Sequence, residues 1–237
     1  MKIKINSLKK IIKEEVIKGR KLDWYSTLIS REIINAVKDE QVRNYFSKNG
    51  RAYFMMDIPH ITKNLEWLDR VYLQITPESH GINAHASYEY DLDATDEQRK
   101  NSDMKINLEM PIGYSDKYIS VLIPILKETI RHELEHSGQS TDVLMDGHKK
   151  VPDQEIWKSL KRALDYYTSE AETKAHVAGI VKLSKVKKIN AADAIDDYLV
   201  RVWSTGKYFG YSEKDLDPLM KRIRSVWQYY LMTRWPK

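Results

Sequence analysis

The chain has 237 residues, of which 42% are hydrophobic and 31% are charged, a composition typical of a folded globular protein and not of a disordered or collagen-like chain. It contains no cysteine, which excludes a disulfide framework, an iron–sulfur cluster and a thiolate zinc site, so any metal must be bound by His, Asp or Glu. The longest nearly apolar run, residues 118–126, is far shorter than the ~20 residues of a membrane span. The first twenty residues lack the apolar centre of a secretory signal. We therefore expect an intracellular protein without a transmembrane segment.

The net charge of +5 is concentrated at the N-terminus. Residues 1–22 hold eight Lys or Arg and two Glu, which leaves 31 basic and 32 acidic residues in the remainder of the chain. A body this close to neutral argues against nucleic-acid binding. The terminal segment carries apolar residues at helical spacing and is predicted to form a basic amphipathic helix: Leu8, Ile11, Ile12 and Val16. Such a helix either packs on the body with its lysines in water or docks on a membrane surface or a partner.

The periodicity of residues 23–237 predicts one α+β domain. A second helix is predicted from Trp24 to about Phe46, before Asn49-Gly50. A small mixed sheet of about four strands follows in a lobe at about 50–113, and a polar loop is expected at 93–103. The predicted strands are 52–58, 71–75, 82–92 and 104–112, of which 82–92 and 104–112 alternate strictly between apolar and polar residues. Helices are then expected at about 115–138 and, in a mainly helical lobe at about 150–237, at 153–166, 169–186, 190–204 and 213–234.

Residues 132–136 read His-Glu-Leu-Glu-His, the pattern H-E-x-x-H. Residues four apart lie one above the other on a helix, so His132 and His136 can present two imidazoles to one metal ion. Glu133 lies beside them, placed to take a proton from a metal-bound water. The motif also continues an apolar stripe of the helix that includes Leu122 and Leu126, which places it on the inward face. The alternative is a pair of histidines that are hydrogen-bonded in a core or at a polar helix end.

A strand at 104–112 followed by a helix with H-E-x-x-H resembles the zincin metallopeptidases. The resemblance implies a zincin-like catalytic domain with a Zn²⁺ ion bound by His132, His136 and a third ligand. The metzincin pattern H-E-x-x-H-x-x-G-x-x-H would place that ligand at Asp142, but Gln139 stands where the pattern has glycine. The gluzincin pattern takes a Glu from a following helix.

Residues 166–180 are similar to the segment that follows H-E-L-x-H in predicted peptidases of tailed bacteriophages. Glu172 takes the place of the first Glu of that segment, which makes it the preferred third ligand. The chain departs from the pattern at Glu170, where the segment has Pro, and at Lys174, where it has a second Glu. If the chain is phage-encoded, the expected cytoplasmic location becomes the host cytoplasm or the virion.

Alternatives remain open around this site. Ser169 and Glu172 also form a capping-box sequence, in which the carboxylate would bond back to the Ser169 amide. Glu170 and His148 are further candidates for the third ligand. His176 could orient a ligand or donate to a developing oxyanion, but a satisfied surface histidine is the preferred interpretation.

Two other groups of residues support weaker functional hypotheses. His80, His85, Glu89 and Asp91 could form a second site, although solvated loop residues are the preferred interpretation. The six Trp and fifteen Tyr could stack on bases, but their scatter through helical stretches, as at Trp203, Trp227 and Trp235, is more typical of core and rim packing.

These patterns and the resemblance together predict a zinc metallopeptidase that acts on a protein or peptide, with Glu133 as general base. The resemblance to zincins also implies that the water-exposed edge of the strand 104–112 aligns an extended substrate by strand addition. The alternative is a non-catalytic, zincin-like binding or structural module, for example of a phage particle, with a structural metal or none. In that case the basic N-terminal helix would be the docking element for a partner.

Overall fold

The computed structural model describes residues 5–62, 65, 68–78, 82–89, 102–137, 139, 140, 142–144, 153–233 and 235, with residues 5–17 described in their backbone alone. The fold is α+β, as predicted. In chain order the elements are α1 (Ile5–Lys38), α2 (Glu40–Asn49), β1 (Ala52–Met56), α3 (Pro59–Thr62), β2 (Leu68–Pro77), β3 (Asn83–Glu89), β4 (Ser102–Met110), α4 (Asp116–His136), a 3₁₀ helix (Asp153–Lys158), α5 (Leu160–Tyr167), α6 (Glu170–Lys187), α7 (Ala191–Tyr208) and α8 (Glu213–Thr233).

The four strands form one mixed sheet in the order β1-β2-β4-β3. β1 pairs with β2 and β3 pairs with β4 antiparallel, whereas β2 and β4 run parallel. Along β4 the side chains of Met104, Ile106, Leu108 and Met110 are buried, while Lys105 is exposed. The period-two alternation thus identifies the buried face correctly. Of the loop predicted at 93–103, residues 93–101 lie outside the described residues, as do 90–92 of the predicted third strand.

The expected role of strand 104–112 as a free edge is wrong. β4 lies between β2 and β3 and is hydrogen-bonded on both sides, so it has no free edge to offer a substrate. Among the strands that the structure describes, β3 is the outer one on this side of the sheet. Alternation of apolar and polar residues reports which face of a strand is buried, not where the strand stands in the sheet.

The helix predicted from Trp24 to Phe46 is also wrong as a single element. α1 continues from Ile5 through that region to Lys38. The next helix, α2, begins at Glu40 and is capped by Asp39, whose carboxylate accepts hydrogen bonds from the backbone N–H groups of Gln41 and Val42. An Asp at this position competes with helix continuation because its side chain replaces the missing backbone acceptors. The backbone of residues 5–22 is helical as predicted, but the side chains of Leu8, Ile11, Ile12 and Val16 lie outside those that the structure describes.

Two hydrophobic cores lie on either side of the packed pair α4 and α6. The first joins the sheet to α1 and α4, and the second joins α5, α6, α7 and α8 around the fully buried Trp227. Trp203 and Trp235 pack partly buried against the second core, so these three tryptophans have the predicted packing role. In the part of the chain that the structure describes, no helix is long and apolar enough to span a bilayer.

Candidate metal centre

Helix α4 presents the two histidines of the H-E-x-x-H motif to one point. Its inward face is apolar for three turns, with Ile119, Leu122, Leu126 and Ile130 all buried, and the motif follows in the next turns of the helix. The Nε2 atoms of His132 and His136 lie 3.0 Å apart, with their rings approaching edge to face at 4.7 Å between centroids. Helical spacing therefore converges the two imidazoles as the sequence predicts.

Helix α6 brings Glu172 to the same point. Ser169 caps this helix, its Oγ accepting a hydrogen bond of 3.3 Å from the Glu172 backbone N–H. The Ser169 N–H donates to the Tyr166 carbonyl at 3.1 Å, so the return half of a capping box is not formed. The Glu172 carboxylate faces the histidines, with Oε2 3.5 Å from His132 Nε2 and Oε1 3.4 Å from His136 Nε2.

A glycine allows α6 to approach α4 closely enough for this contact. A Cβ at Gly179 would lie 3.0 Å from the Glu128 carbonyl oxygen and 3.5 Å from the His132 Cβ. The first distance is tighter than nine in ten real Cβ contacts, and the neighbouring atom belongs to the backbone of α4. Gly179 thus sets the spacing between the helix that carries the two histidines and the helix that carries Glu172.

The three side chains form a donor set that can hold a metal ion. Their ligand atoms all lie within 4.8 Å of one another, and the side chains of His132, His136 and Glu172 are only 12%, 9% and 14% exposed. Around a tetrahedral ion with bonds of about 2.0–2.2 Å, ligand atoms lie about 3.3–3.6 Å apart, close to the separations seen here. Moreover, Glu172 Oε2 is buried without a hydrogen-bond partner, a cost that a cation removes.

Gln139 fixes the orientation of His136 from behind. The Gln139 amide Nε2 donates to the Ala171 carbonyl at 2.9 Å, so its Oε1 faces His136 Nδ1 at 3.1 Å and accepts that N–H. The proton on Nδ1 leaves the Nε2 lone pair directed at the centre, as metal-binding histidines require. No sequence pattern indicated this role, because Gln139 lies beyond the helix and its partner Ala171 is distant in the chain.

Charge in the metal-free centre is concentrated on one pair. Burial by itself lowers the pKa of His136, but the Glu172 carboxylate outweighs it and raises this pKa to about 9. Burial raises the pKa of Glu172, yet the neighbouring His136 and His132 bring it down to about 2. Burial and the nearby imidazoles of His176 and His136 hold the pKa of His132 well below its usual range. Without metal, the centre therefore holds an imidazolium–carboxylate pair beside a neutral His132.

Glu133 lies at the opening of the centre. Its side chain is 13% exposed, and Oε1 is 3.9 Å from His132 Nε2. Together with His132 it lines a cavity of about 310 Å³ that is bordered on one side by residues 83–86 of β3. A hydrogen bond of 3.4 Å from Thr129 Oγ1 to the Ala84 carbonyl ties β3 to α4. The general-base candidate and strand β3 thus line the same cavity.

A network of charges ties α4 to α1 and α6. Arg131, 1% exposed, donates to Asp23 of α1 at 3.0 Å and to Glu135 at 2.7 Å. Lys174 of α6 lies 3.1 Å from the other Glu135 oxygen, so the residue that replaces the second Glu of the phage pattern serves as a positive partner here. Arg131 and Glu135 immediately precede His132 and His136 in the sequence. The network therefore fixes the orientation of α4 about its own axis, and with it the direction of the two histidines.

His176 is not a surface residue, which corrects the preferred interpretation. Its side chain is 4% exposed and its Nε2 lies 3.6 Å from Glu172 Oε2. The Tyr166 side chain also hydrogen-bonds to Glu172 and helps to lower the pKa of that carboxylate. The spacing of four residues predicts that His176 lies next to Glu172. Its burial could not be predicted, because α6 is buried on most of its sides and its sequence shows no separate polar face.

The other candidate ligands do not join the group. Asp142 and Glu170 are exposed and lie outside the convergent donor set. His85 is 59% exposed on β3 and lies 3.4 Å from Glu109. His80, Asp91, His148 and the side chain of Glu89 lie outside the described residues.

The chain has no match among protein-family models, among curated proteins or among solved structures. The geometry of the centre is therefore the basis of the functional conclusion.

Proposed function

We propose that the protein is a single-zinc metallopeptidase of the gluzincin type that acts on protein or peptide substrates in the cytoplasm. The observation that carries the proposal is the convergence of His132, His136 and Glu172 beside Glu133 at an open cavity. Two imidazoles and one carboxylate form a donor set that suits zinc, and three protein ligands are typical of catalytic zinc sites. A structural zinc site needs no carboxylate like that of Glu133.

In this proposal each residue of the site has a distinct role. His132, His136 and Glu172 would bind the ion, which polarises a substrate carbonyl and lowers the pKa of water. Glu133 accepts the proton of the attacking water and returns it to the leaving amine. The outer side of β3 pairs with an extended peptide, since β3 lines the cavity and is an outer strand of the sheet in the part of the chain that the structure describes.

The metal content of the protein and the activity of the Glu133→Gln variant together test this proposal. We expect close to one zinc per chain in the purified protein and none in the double variant His132→Ala/His136→Ala, by elemental analysis. Glu133→Gln should keep its zinc and lose about 10²–10⁴-fold in peptide hydrolysis, the usual contribution of a general base. Glu170→Gln is the matched control, because Glu170 is exposed on α6 outside the donor set, and it should retain full activity.

The outcomes separate the two functional classes. A Glu133→Gln variant that keeps most of its activity would overturn the role of Glu133. Zinc in the wild type with no hydrolysis of any peptide in a broad library would overturn the peptidase and leave the non-catalytic module with a structural metal.

A further inference from the structure

His176 lies one helical turn beyond Glu172 on α6 and contacts two members of the donor set. Its Nε2 is 3.6 Å from Glu172 Oε2, and its ring centroid is 4.4 Å from that of His132. It does not itself belong to the group of atoms that converge within 4.8 Å. His176 is therefore placed to act on the ligands and not as one of them.

The imidazole of His176 lacks hydrogen bonds. Both ring nitrogens are buried without a hydrogen-bond partner, and so is Glu172 Oε2, the oxygen near Nε2. Leaving such groups unpaired in a buried site is unfavourable, because each loses its hydrogen bonds to water without replacement. A His176 Nε2–H directed at Oε2 would satisfy a donor and an acceptor at once, since an N–H···O bond forms at about 2.9–3.0 Å and the two atoms are already close.

Aromatic rings enclose His176 and restrict its rotation. Trp227, Tyr198 and Tyr167 lie with their centroids 4.9 Å, 5.2 Å and 5.4 Å from the imidazole. Trp227 is itself fixed by the hydrogen bond of its Nε1 to the Tyr167 carbonyl at 2.8 Å. A ring held in this way keeps its Nε2 aimed at Glu172, which is what a positioning residue requires.

We propose that His176 is a positioning residue that donates its Nε2–H to Glu172 Oε2 and so holds the carboxylate toward His132 and His136. This inference rests on one part of the proposed function, the binding of a metal at this centre. It does not depend on peptide hydrolysis. In this arrangement two of the ligands are each oriented by a hydrogen bond from outside the donor set. Gln139 orients His136, and His176 orients Glu172. Such partners typically contribute 10–100-fold to metal affinity.

The test replaces His176 with residues that differ in one property. His176→Phe keeps a ring of similar size and removes the donor, whereas His176→Gln places an amide N–H near the position of Nε2. Zinc affinity is measured by competition with a chromophoric chelator, and the visible absorption spectrum of the Co²⁺-loaded protein reports the ligand geometry. Tyr198→Phe is the control for packing, because Tyr198 touches the same imidazole from another side and loses only its hydroxyl.

We expect His176→Phe to bind zinc about 10–100-fold more weakly with an altered Co²⁺ spectrum, and His176→Gln and Tyr198→Phe to stay within a few-fold of the wild type. A His176→Phe variant with wild-type affinity and spectrum would overturn the proposal. Equal weakening in the Phe and Gln variants would also overturn it, because shape and not the donor would then matter. If the Phe variant does not fold, His176→Met provides the apolar comparison. Wild-type protein that binds zinc but hydrolyses no peptide contradicts the proposed function alone, whereas wild-type protein that binds no zinc contradicts both.

Discussion

Gln139 joins the end of α4 to the beginning of α6 through a single amide. Its two hydrogen bonds, to His136 Nδ1 and to the Ala171 carbonyl, fix which nitrogen of His136 carries the proton. We expect Gln139→Leu to weaken zinc binding by about 10–100-fold, since the imidazole loses its orienting acceptor. Chelator competition measures the change, and Gln41→Leu, at an exposed position of α2, is the control. Unchanged affinity in Gln139→Leu would show that the helix alone orients His136.

The His136–Glu172 pair makes the stability of the metal-free protein depend on pH. The pKa of His136 is raised from 6.5 to about 9 in the folded protein, so the stability it contributes is complete below pH 6.5 and is lost as the pH rises through about 9. The pKa of Glu172 is lowered from 4.5 to about 2, so its contribution is complete above pH 4.5 and is lost as the pH falls through about 2. The pair therefore stabilises the metal-free fold most between about pH 4.5 and 6.5.

Urea unfolding of the EDTA-treated protein between pH 5 and 9 measures this dependence. The free energy of unfolding should fall as the pH rises above 6.5, and Glu172→Gln should flatten the decline because it removes the carboxylate that raises the pKa of His136. An identical decline in both proteins would assign the pH dependence to other groups.

Single residues of the centre differed in how far the sequence revealed them. The spacing of His132, Glu133 and His136 is local to one helix, so it could be read directly, and Glu172 could be found by resemblance to a known pattern. Gln139 and His176 act through contacts between α4 and α6, and no periodicity in one helix reports what another helix brings to it.

At the scale of elements, the contact between α4 and α6 depends on Gly179. We expect Gly179→Ala to lower the free energy of unfolding by up to about 2 kcal/mol, because overpacking against the Glu128 carbonyl costs about 1–3 kcal/mol and exceeds the ~1 kcal/mol gain in helix propensity. Zinc affinity should fall as well, since the displaced α6 carries Glu172. Urea unfolding and chelator competition provide the two measurements.

Gly19→Ala is the matched control for this substitution. Gly19 also lies inside a helix, but a Cβ there meets nothing within 4 Å, so the alanine should stabilise by up to about 1 kcal/mol. Stabilisation by both substitutions would mean that α6 can move away from α4 without loss.

The sequence predicted the elements better than their arrangement. Helices α4, α6, α7 and α8 lie within a few residues of their predicted bounds, because each has its own apolar pattern and terminal signals. The central position of β4 was missed, since strand order depends on pairing partners distant in the chain. The break at Asp39 was missed because the apolar pattern of α1 continues into α2 and only the capping side chain separates them.

At the scale of the whole molecule, the candidate metal centre joins the two hydrophobic cores. His132 and His136 come from α4, which packs into the sheet core, and Glu172 comes from α6, which packs into the helical core. Zinc at one hundred times its dissociation constant should add about 2.7 kcal/mol to stability, or about 5–10 °C in Tm for a chain of this size. Calorimetry with zinc and with EDTA measures this shift, and Glu172→Ala should show much less of it. A shift of the same size in Glu172→Ala would exclude α6 from the site.

The order of the strands has a consequence for the rate of folding. The sheet consists of two antiparallel pairs, β1–β2 and β3–β4, that meet along the parallel β2–β4 pair. Contacts between distant segments form slowly because the loop must close before the pairing stabilises it. We therefore expect Leu73→Ala, at a fully buried position of β2, to slow refolding, and Phe54→Ala on the outer strand β1 to act mainly by speeding unfolding. Stopped-flow kinetics over a range of urea concentrations distinguishes the two, and refolding rates that are unchanged in Leu73→Ala would place formation of the parallel pair after the rate-limiting step.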